Sequence, residues 1–189
     1  MRYNEVFDKY LLILKEWNKK INLVQKDTLN SYFERHIKDS LQITDFIDIN
    51  DHIIDIGSGA GFPAVPLSIY GYKKILLCEK NFKKCTFLKY LREKLSLSYE
   101  IFNGDVFTLN VSRETLQNTI ATSRAFASLL VLIDFLDKKG ILKGVFHKGE
   151  NYMKEIEEAK CFFEFDFVAK LSITNPKSAV IVVKNIRRK

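Results

Sequence analysis

Ile53-Ile54-Asp55-Ile56-Gly57-Ser58-Gly59-Ala60-Gly61-Phe62-Pro63 runs from a β-branched stretch through three alternating glycines into a helix-length segment. Glycine adopts backbone angles that other residues avoid, so this spacing predicts a strand, a tight turn and a helix in immediate succession. Open α/β sheets bind ligands beyond the carboxyl ends of their strands, and the turn therefore constrains the fold and the site together. The pattern is G-x-G-x-G, with Phe62 where a dinucleotide-binding G-x-G-x-x-G would carry its third glycine. No Gly-Lys-Ser/Thr follows, which excludes a P-loop.

The texture of the chain changes at His52. Before it, Val6, Phe7, Tyr10, Leu11, Leu14 and Trp17 recur at spacings of three and four, predicting an amphipathic helix over residues 3–20. A second helix is expected from Asp27 or Thr28 through Tyr32, Phe33, His36, Ile37 and Leu41, with a short third one to about Ile47. After it, strands are expected at His52–Ile56, Lys74–Glu79, Tyr99–Asn103, Thr119–Ser123 and Gly144–His147. Helical segments at Pro63–Tyr70, Asn81–Leu97, Ala127–Lys138 and Glu150–Lys160 fall between and after these strands. This alternation implies a mainly parallel sheet covered on both faces. Phe162–Ile173 and Ala179–Asn185, joined by Thr174-Asn175-Pro176-Lys177-Ser178, read as a β-hairpin that adds an antiparallel strand. The expected organisation is an N-terminal helical cap, residues 1–50, on one compact core, residues 51–189.

The 189 residues include 15 Phe, 8 Tyr, 3 Pro and 8 Gly, a composition that argues against disorder and low complexity. Cys78, Cys85 and Cys161 form no C-x-x-C pair, so neither a disulfide framework nor a structural zinc site is expected, and reduced thiols in a cytoplasmic core are. The start mixes charges with apolar residues, and no run reaches the 18 apolar residues of a membrane span. The formal net charge is +7. Residues 1–51 carry eight basic and nine acidic side chains, whereas Lys73 to Lys94 holds eight basic residues against Glu79 and Glu93, and Lys184 to Lys189 four against none. A localised basic stripe suits a polyanion. Lysine-rich solvated faces account for the same count, so charge alone leaves both readings open.

Two further features give the glycine turn a ligand. Glu79 closes the second expected strand, 22 residues after Gly57, where a carboxylate can accept hydrogen bonds from both hydroxyls of a ribose. Pairing with Lys80 or Lys83 is the structural alternative. Asn103-Gly104-Asp105 follows the third strand, where a carboxylate and loop amides can read an adenine. Together these features favour a cofactor with ribose and adenine but no obligatory pyrophosphate, which S-adenosylmethionine matches better than NAD.

Four segments carry a resemblance: Trp17-Asn18-Lys19-Lys20-Ile21-Asn22-Leu23, Arg35-His36-Ile37-Lys38-Asp39-Ser40-Leu41, Asp55 to Pro63, and Thr122-Ser123-Arg124-Ala125-Phe126-Ala127-Ser128-Leu129. In this order and over nearly the whole chain, the sequence resembles the RsmG (GidB) methyltransferases. Ala64 departs from the pattern, which has glycine after Phe-Pro. The resemblance implies a Rossmann-like class I fold with a mostly parallel seven-stranded sheet, an antiparallel C-terminal strand and an N-terminal helical cap. It implies methyl transfer from S-adenosylmethionine, with S-adenosylhomocysteine as product, to N7 of a guanine at position 527 in the 530 loop of 16S ribosomal RNA. The expected partner is that RNA or the small ribosomal subunit, met in the cytoplasm by a monomer without metal or membrane. Gly57, Gly59 and Phe62 would contact the cofactor from the first loop, Glu79 and Asp105 from the next two, with Val106 and Phe107 flanking the adenine. Arg124 would face the methionine end of the cofactor or the acceptor site.

Guanine N7 is a lone-pair nucleophile carrying no proton, so this chemistry needs alignment rather than a general base. The chain also lacks the Asn/Asp-Pro-Pro-Tyr/Phe tetrapeptide used on exocyclic amines, and its cysteines lack the Pro-Cys or Thr-Cys context used on pyrimidine C5. For the RNA, Lys80, Lys83 and Lys84 crowd the start of a helix, where the macrodipole disfavours cations by a few tenths of a kcal/mol each. With Arg35 and Lys148 they are the candidate phosphate contacts. His36 reads as a packing partner in the cap. A methyltransferase acting on a small molecule or a protein, and a non-catalytic RNA-binding protein, remain the alternatives at this level.

Overall fold

The computed structural model describes residues 3–112, 116 and 118–189. These residues form a seven-stranded sheet in the order β3-β2-β1-β4-β5-β7-β6. The strands are β1 (His52–Ile56), β2 (Ile75–Glu79), β3 (Glu100–Asn103), β4 (Thr119–Arg124), β5 (Lys143–Lys148), β6 (Phe163–Leu171) and β7 (Ala179–Arg188). The first five run parallel, and β7 lies antiparallel between β5 and β6, with Gly144 opposite Val183 and Leu171 opposite Ala179. Chain order reverses between β1 and β4, which opens a crevice beyond their carboxyl ends.

Alternation along each strand assigns side chains to two cores. Ile53, Ile75, Leu77, Ile120, Val145, Val180 and Val182 face one layer, while Ile54, Ile56, Cys78, Ala121, Phe146, Ile181 and Val183 face the other. The first layer holds α1 (Tyr3–Asn18), α3 (Ala64–Tyr70) and α4 (Phe82–Leu95), and the second holds α5 (Leu129–Lys139) and α6 (Tyr152–Lys160). Local signals set the helix ends. Asn81 Oδ1 accepts from the Lys83 and Lys84 amides (3.0 and 3.2 Å) to start α4, and Gly140, at φ +70°, closes α5.

The N-terminal helices share the first core. Phe7, Tyr10 and Leu14 of α1 are buried with Ile37, Ile43 and Ile47 against Phe62, Ala64 and Leu67. Ala64 is fully buried, so this tightly packed position accepts a methyl group. The expected single helix from Asp27 to Leu41 is not continuous. A 3-10 turn at Lys26–Leu29 is followed by a π-helical stretch, Phe33–Lys38, then α2 (Asp39–Leu41) and a second 3-10 turn, Gln42–Phe46. The widened turn buries both His36 and Ile37, and the Ser40 hydroxyl donates to the His36 carbonyl (2.6 Å). A regular 3.6-residue repeat does not show such a change in register. Cys78 and Cys85 are buried free thiols as expected, but Cys161 is exposed because it follows the end of α6.

One hydrogen bond fastens α1 to the glycine turn: the buried Tyr10 hydroxyl donates to the Ala60 carbonyl. Tyr10→Phe leaves that carbonyl unmatched in a dry environment. The variant is expected to lose about 1–3 kcal/mol of stability, read as a lowered urea midpoint with an unchanged slope.

Candidate active site

The turn after β1 is built from Gly57, Gly59 and Gly61, at φ +70°, +56° and +95°. A Cβ on Gly57 would lie 2.2 Å from Phe126 Cδ2, and one on Gly61 would lie 2.5 Å from Val65 Cγ2, so two of the three positions exclude any side chain. At Gly59 a Cβ would meet nothing nearer than the Gly57 carbonyl at 3.8 Å, leaving that face of the turn open. The Gly57 and Ser58 amides donate to the Cys78 carbonyl (2.9 and 3.1 Å), which docks the turn on the end of β2. The turn borders a cleft of about 400 Å³ also lined by Leu23, Val24, Thr28, Arg35, His36, Phe62, Lys84, Arg124 and Ala125.

Glu79 does not pair with Lys80 or Lys83. Its carboxylate accepts from the Gly59 amide (3.0 Å) and the Asn81 amide (2.8 Å), while its carbonyl accepts from the Gly104 amide (3.1 Å) and Asn103 Nδ2 (3.1 Å). The ends of β1, β2 and β3 are thereby tied at one residue. Asp105 caps the following 3-10 turn, accepting from the Phe107 amide (3.0 Å). Val106 is buried, and Phe107 is half-buried with its ring edge-on to Phe135. Glu79, Asp105, Val106 and Phe107 thus lie along the sheet edge beside the turn, outside the wall of the cleft itself.

Phe62 is the floor of the cleft rather than a projecting contact. Its ring is 6% exposed, stacks on His36 (centroids 4.7 Å, 13°) and on Tyr10 (5.4 Å, 29°), and carries the Arg124 guanidinium 5.2 Å from its centroid. Arg124 Nη2 donates to His36 Nδ1 (2.7 Å), and Arg124 Nη1 lies 3.2 Å from Asp39 Oδ2. Arginine is only a donor, so Nδ1 must be unprotonated, which leaves the proton of the neutral ring on Nε2, facing Thr28 Oγ1 (2.9 Å). Burial, followed by the charges of Arg124 and Arg35, lowers the His36 pKa to about 4, in agreement with a neutral ring.

Asp39 is the second hub. Its Oδ1 accepts from Gln42 Nε2 (2.8 Å), Thr174 Oγ1 (2.8 Å) and Ser172 Oγ (3.3 Å), and its carbonyl accepts from His147 Nε2 (2.8 Å). These contacts join α2, the end of β5 and the turn between β6 and β7. They border a second cleft of about 320 Å³, which shares Arg35, Arg124 and Ala125 with the first. A hollow of about 450 Å³ between Phe46, Lys143, Asp166 and Val182 lies at the opposite end of the sheet, away from the glycine turn.

The basic candidates separate. Lys80 and Lys83 are exposed at the start of α4, Lys84 is half-buried in the wall of the first cleft, and Arg35 is exposed at the rim common to both clefts. Lys148, expected at an RNA surface, is 9% exposed and already engaged: Nζ donates to the Ala127 carbonyl (2.7 Å) and lies 2.6 Å from Glu155 Oε2. It holds the loop after β4 instead of offering a free charge. Sequence reasoning passed over Tyr10, Asp39, His147 and Glu155; Asp39 alone carried a signal, its place in the Arg35 to Leu41 segment.

Beneath the turn, Asp55 is fully buried, with Oδ1 accepting from Thr122 Oγ1 (2.9 Å) and Oδ2 lacking a partner among the described residues. Burial raises its pKa to about 7. A glycine turn at the switch point, an acidic residue ending β2 and an adjoining second cleft define a Rossmann-like fold of the class that binds S-adenosylmethionine. The same fold, at low identity, occurs in an MtNAS variant in complex with S-adenosylmethionine (TM-score 0.63, 14% identity, 97% of this chain and 74% of that one). It recurs in the 16S rRNA methylase RmtB (TM-score 0.57, 16% identity, 96% and 75%). Residues 3–182 match the GidB family model, rRNA small subunit methyltransferase G, and the chain belongs to this family. Ribosomal RNA small subunit methyltransferase G of Rickettsia felis is 38% identical over 97% of this chain and 93% of its own length, and that of Rickettsia prowazekii is 35% identical over 93% and 91%.

The two shifted groups act on opposite sides of neutrality. His36, with a folded pKa below its unfolded value of about 6.5, contributes stability that is present above pH 6.5 and lost as pH falls towards 4. Asp55, shifted upwards, contributes stability that is complete below about pH 4 and lost as pH rises through 7. Urea unfolding across pH 4–8 is expected to show the advantage of wild type over His36→Gln growing up to pH 6.5. In the same series Asp55→Asn gains on wild type up to about pH 7.

Proposed function

We propose that this protein transfers the methyl group of S-adenosylmethionine to N7 of a guanine, position 527 in the 530 loop of 16S ribosomal RNA. The observation that carries the reading is the meeting of two clefts at Arg124 and Ala125, one built on the glycine turn and the other open beside it, in a chain of the rRNA small subunit methyltransferase G family. The residues fit the cofactor: Gly59 leaves an open backbone face on the cleft, and Glu79 stands at its edge with carboxylate lone pairs beyond those taken by two amides. When bound, S-adenosylmethionine would supply an electrophilic sulfonium methyl group for the N7 lone pair, with S-adenosylhomocysteine and a cationic base as the products.

The chain contributes position and electrostatics. Gly57, Gly59 and Phe62 form the seat, Glu79 accepts from the ribose hydroxyls, and Asp105, Val106 and Phe107 accommodate the adenine. Arg124, fixed by His36 and Asp39, marks the boundary between the methionine end and the acceptor. Its charge is matched by Asp39, so the place where the base becomes positive is close to neutral. No group is required to take a proton. Residues 1–50 act as a cap that closes over the turn through Tyr10 and His36. Lys80, Lys83 and Arg35, with Lys84 at the cleft wall, meet RNA phosphates. The protein acts as a monomer in the cytoplasm on 16S RNA or the small subunit.

Incubating the protein with labelled cofactor and small subunits from a strain lacking the gene, followed by borohydride and aniline cleavage, is expected to map one 7-methylguanine in the 530 loop. Label elsewhere, or none, would remove the assignment. Glu79→Ala is expected to weaken cofactor binding about tenfold or more by calorimetry, the value of a charge-assisted hydrogen bond. Replacing Lys80 and Lys83 together by Ala is expected to lower the slope of log affinity for the RNA against log salt by about two, with cofactor affinity unchanged.

A further inference from the structure

We infer that Glu155 reads the N1–H and N2–H edge of the acceptor guanine in the second cleft; this assignment rests on the methyltransferase reading above. Most polar groups of that cleft are committed; among the described residues His147 Nδ1 and Arg124 Nη1 lack a hydrogen-bond partner, but both atoms are buried away from its surface, and Arg35 at the rim is only a donor. Asp39 Oδ1 takes three donors, its Oδ2 faces Arg124 and its carbonyl takes His147, while Gln42 Oε1 accepts from the Ile173 amide (3.2 Å). Glu155 differs. Its Oε2 lies 2.6 Å from Lys148 Nζ and accepts from the Leu129 amide (2.6 Å), whereas Oε1 has no partner among the described residues and the side chain is 21% exposed in the cleft wall. One oxygen is locked and the other is open.

The lock gives the open oxygen a fixed direction. Lys148 also holds the Ala127 carbonyl, so the carboxylate is tied to the loop that runs from Arg124 into α5, the loop shared with the cofactor cleft. A carboxylate is acceptor-only, and guanine presents two adjacent donors, N1–H and N2–H, on the edge opposite N7. A base held by that edge turns N7 away from Glu155, towards Ala125 and the cofactor side. Adenine offers an acceptor at N1 and is repelled. The target base reaches such a cleft unstacked from the RNA, as bases in single-stranded loops do. Glu155 is thus a specificity residue that touches the substrate, and Lys148 is the positioning residue behind it.

The test uses small subunits reconstituted from 16S RNA carrying guanine, inosine or adenine at the methylated position. Inosine lacks the N2 amino group. Wild type is expected to prefer guanine over inosine about tenfold and over adenine at least a hundredfold, in line with one or two charge-assisted hydrogen bonds. Glu155→Gln is expected to lose at least tenfold on guanine and to bring the guanine/inosine ratio close to one, with unchanged cofactor affinity by calorimetry. Lys148→Gln is expected to lower kcat while keeping most of that ratio. Glu155→Asp, which keeps the charge but withdraws it by one methylene, reports the same ratio if Glu155→Gln melts below the assay temperature. A wild-type ratio retained in both Glu155 variants, or a wild type indifferent to inosine, overturns the assignment while leaving the methyltransferase reading intact. A wild type that yields no 7-methylguanine removes both.

Discussion

The ion pair between Asp39 and Arg124 holds this structure's working parts in one arrangement. Both side chains are mostly buried, and isolated buried charges are costly, so each needs the other and the further donors around them. Asp39 satisfies its remaining lone pairs with Gln42, Thr174 and Ser172, and Arg124 uses a second arm on His36. The π-helical segment, the end of β4 and the hairpin turn consequently meet in one geometry. Loss of either charge would leave the other uncompensated, a change of about 3–5 kcal/mol in comparable buried pairs. Such a pair adds little net stability compared with apolar packing, but it specifies where the guanidinium sits. That position is where the two clefts join.

The same arrangement separates two electrostatic tasks. Attraction of RNA calls for positive charge at the surface; Lys80, Lys83 and Arg35 are exposed, and Arg35 lies at the rim of both clefts. Inside the clefts the cations are matched, Arg124 by Asp39 and Lys148 by Glu155, which on the proposed reading keeps the place where the base becomes positive close to neutral. His36 contributes by staying neutral. A protonated ring would place a second cation against Arg124 and remove the acceptor that orients it. Basicity outside and paired charge inside are thus products of the same fold.

Much of the framework was legible because its signals are local. β-Branched runs gave the strands to within a residue or two, except that β7 runs three residues further than expected, and the turn residues at 174–178 marked the hairpin. Gly57 and Gly61 were legible as a turn, although the atoms that exclude a side chain there, Phe126 and Val65, appear only in three dimensions. The second helix was misread because its apolar spacing is compatible with a continuous helix, whereas packing of His36 on Phe62 and Arg124 accompanies a widened turn. The surroundings of Lys148 were hidden for a related reason: its place after a strand suggested an open edge, but Glu155 folds back from α6 to meet it.

The sequence by itself determined the alternating α/β architecture, the place of the glycine turn at the end of β1, the acidic residue closing β2 and the location of the excess positive charge. Each depends on backbone preference, periodicity or composition within a few residues. Only the tertiary structure decided which charges are neutralised. Arg124 and His36 stand 88 positions apart, and His147 and the Asp39 carbonyl 108, so no local pattern announces their contact. Desolvation is likewise a property of the packed chain. It lowers the pKa of His36 and raises that of Asp55, and the packing of α6 against the loop after β4 leaves one oxygen of Glu155 open where the two clefts meet.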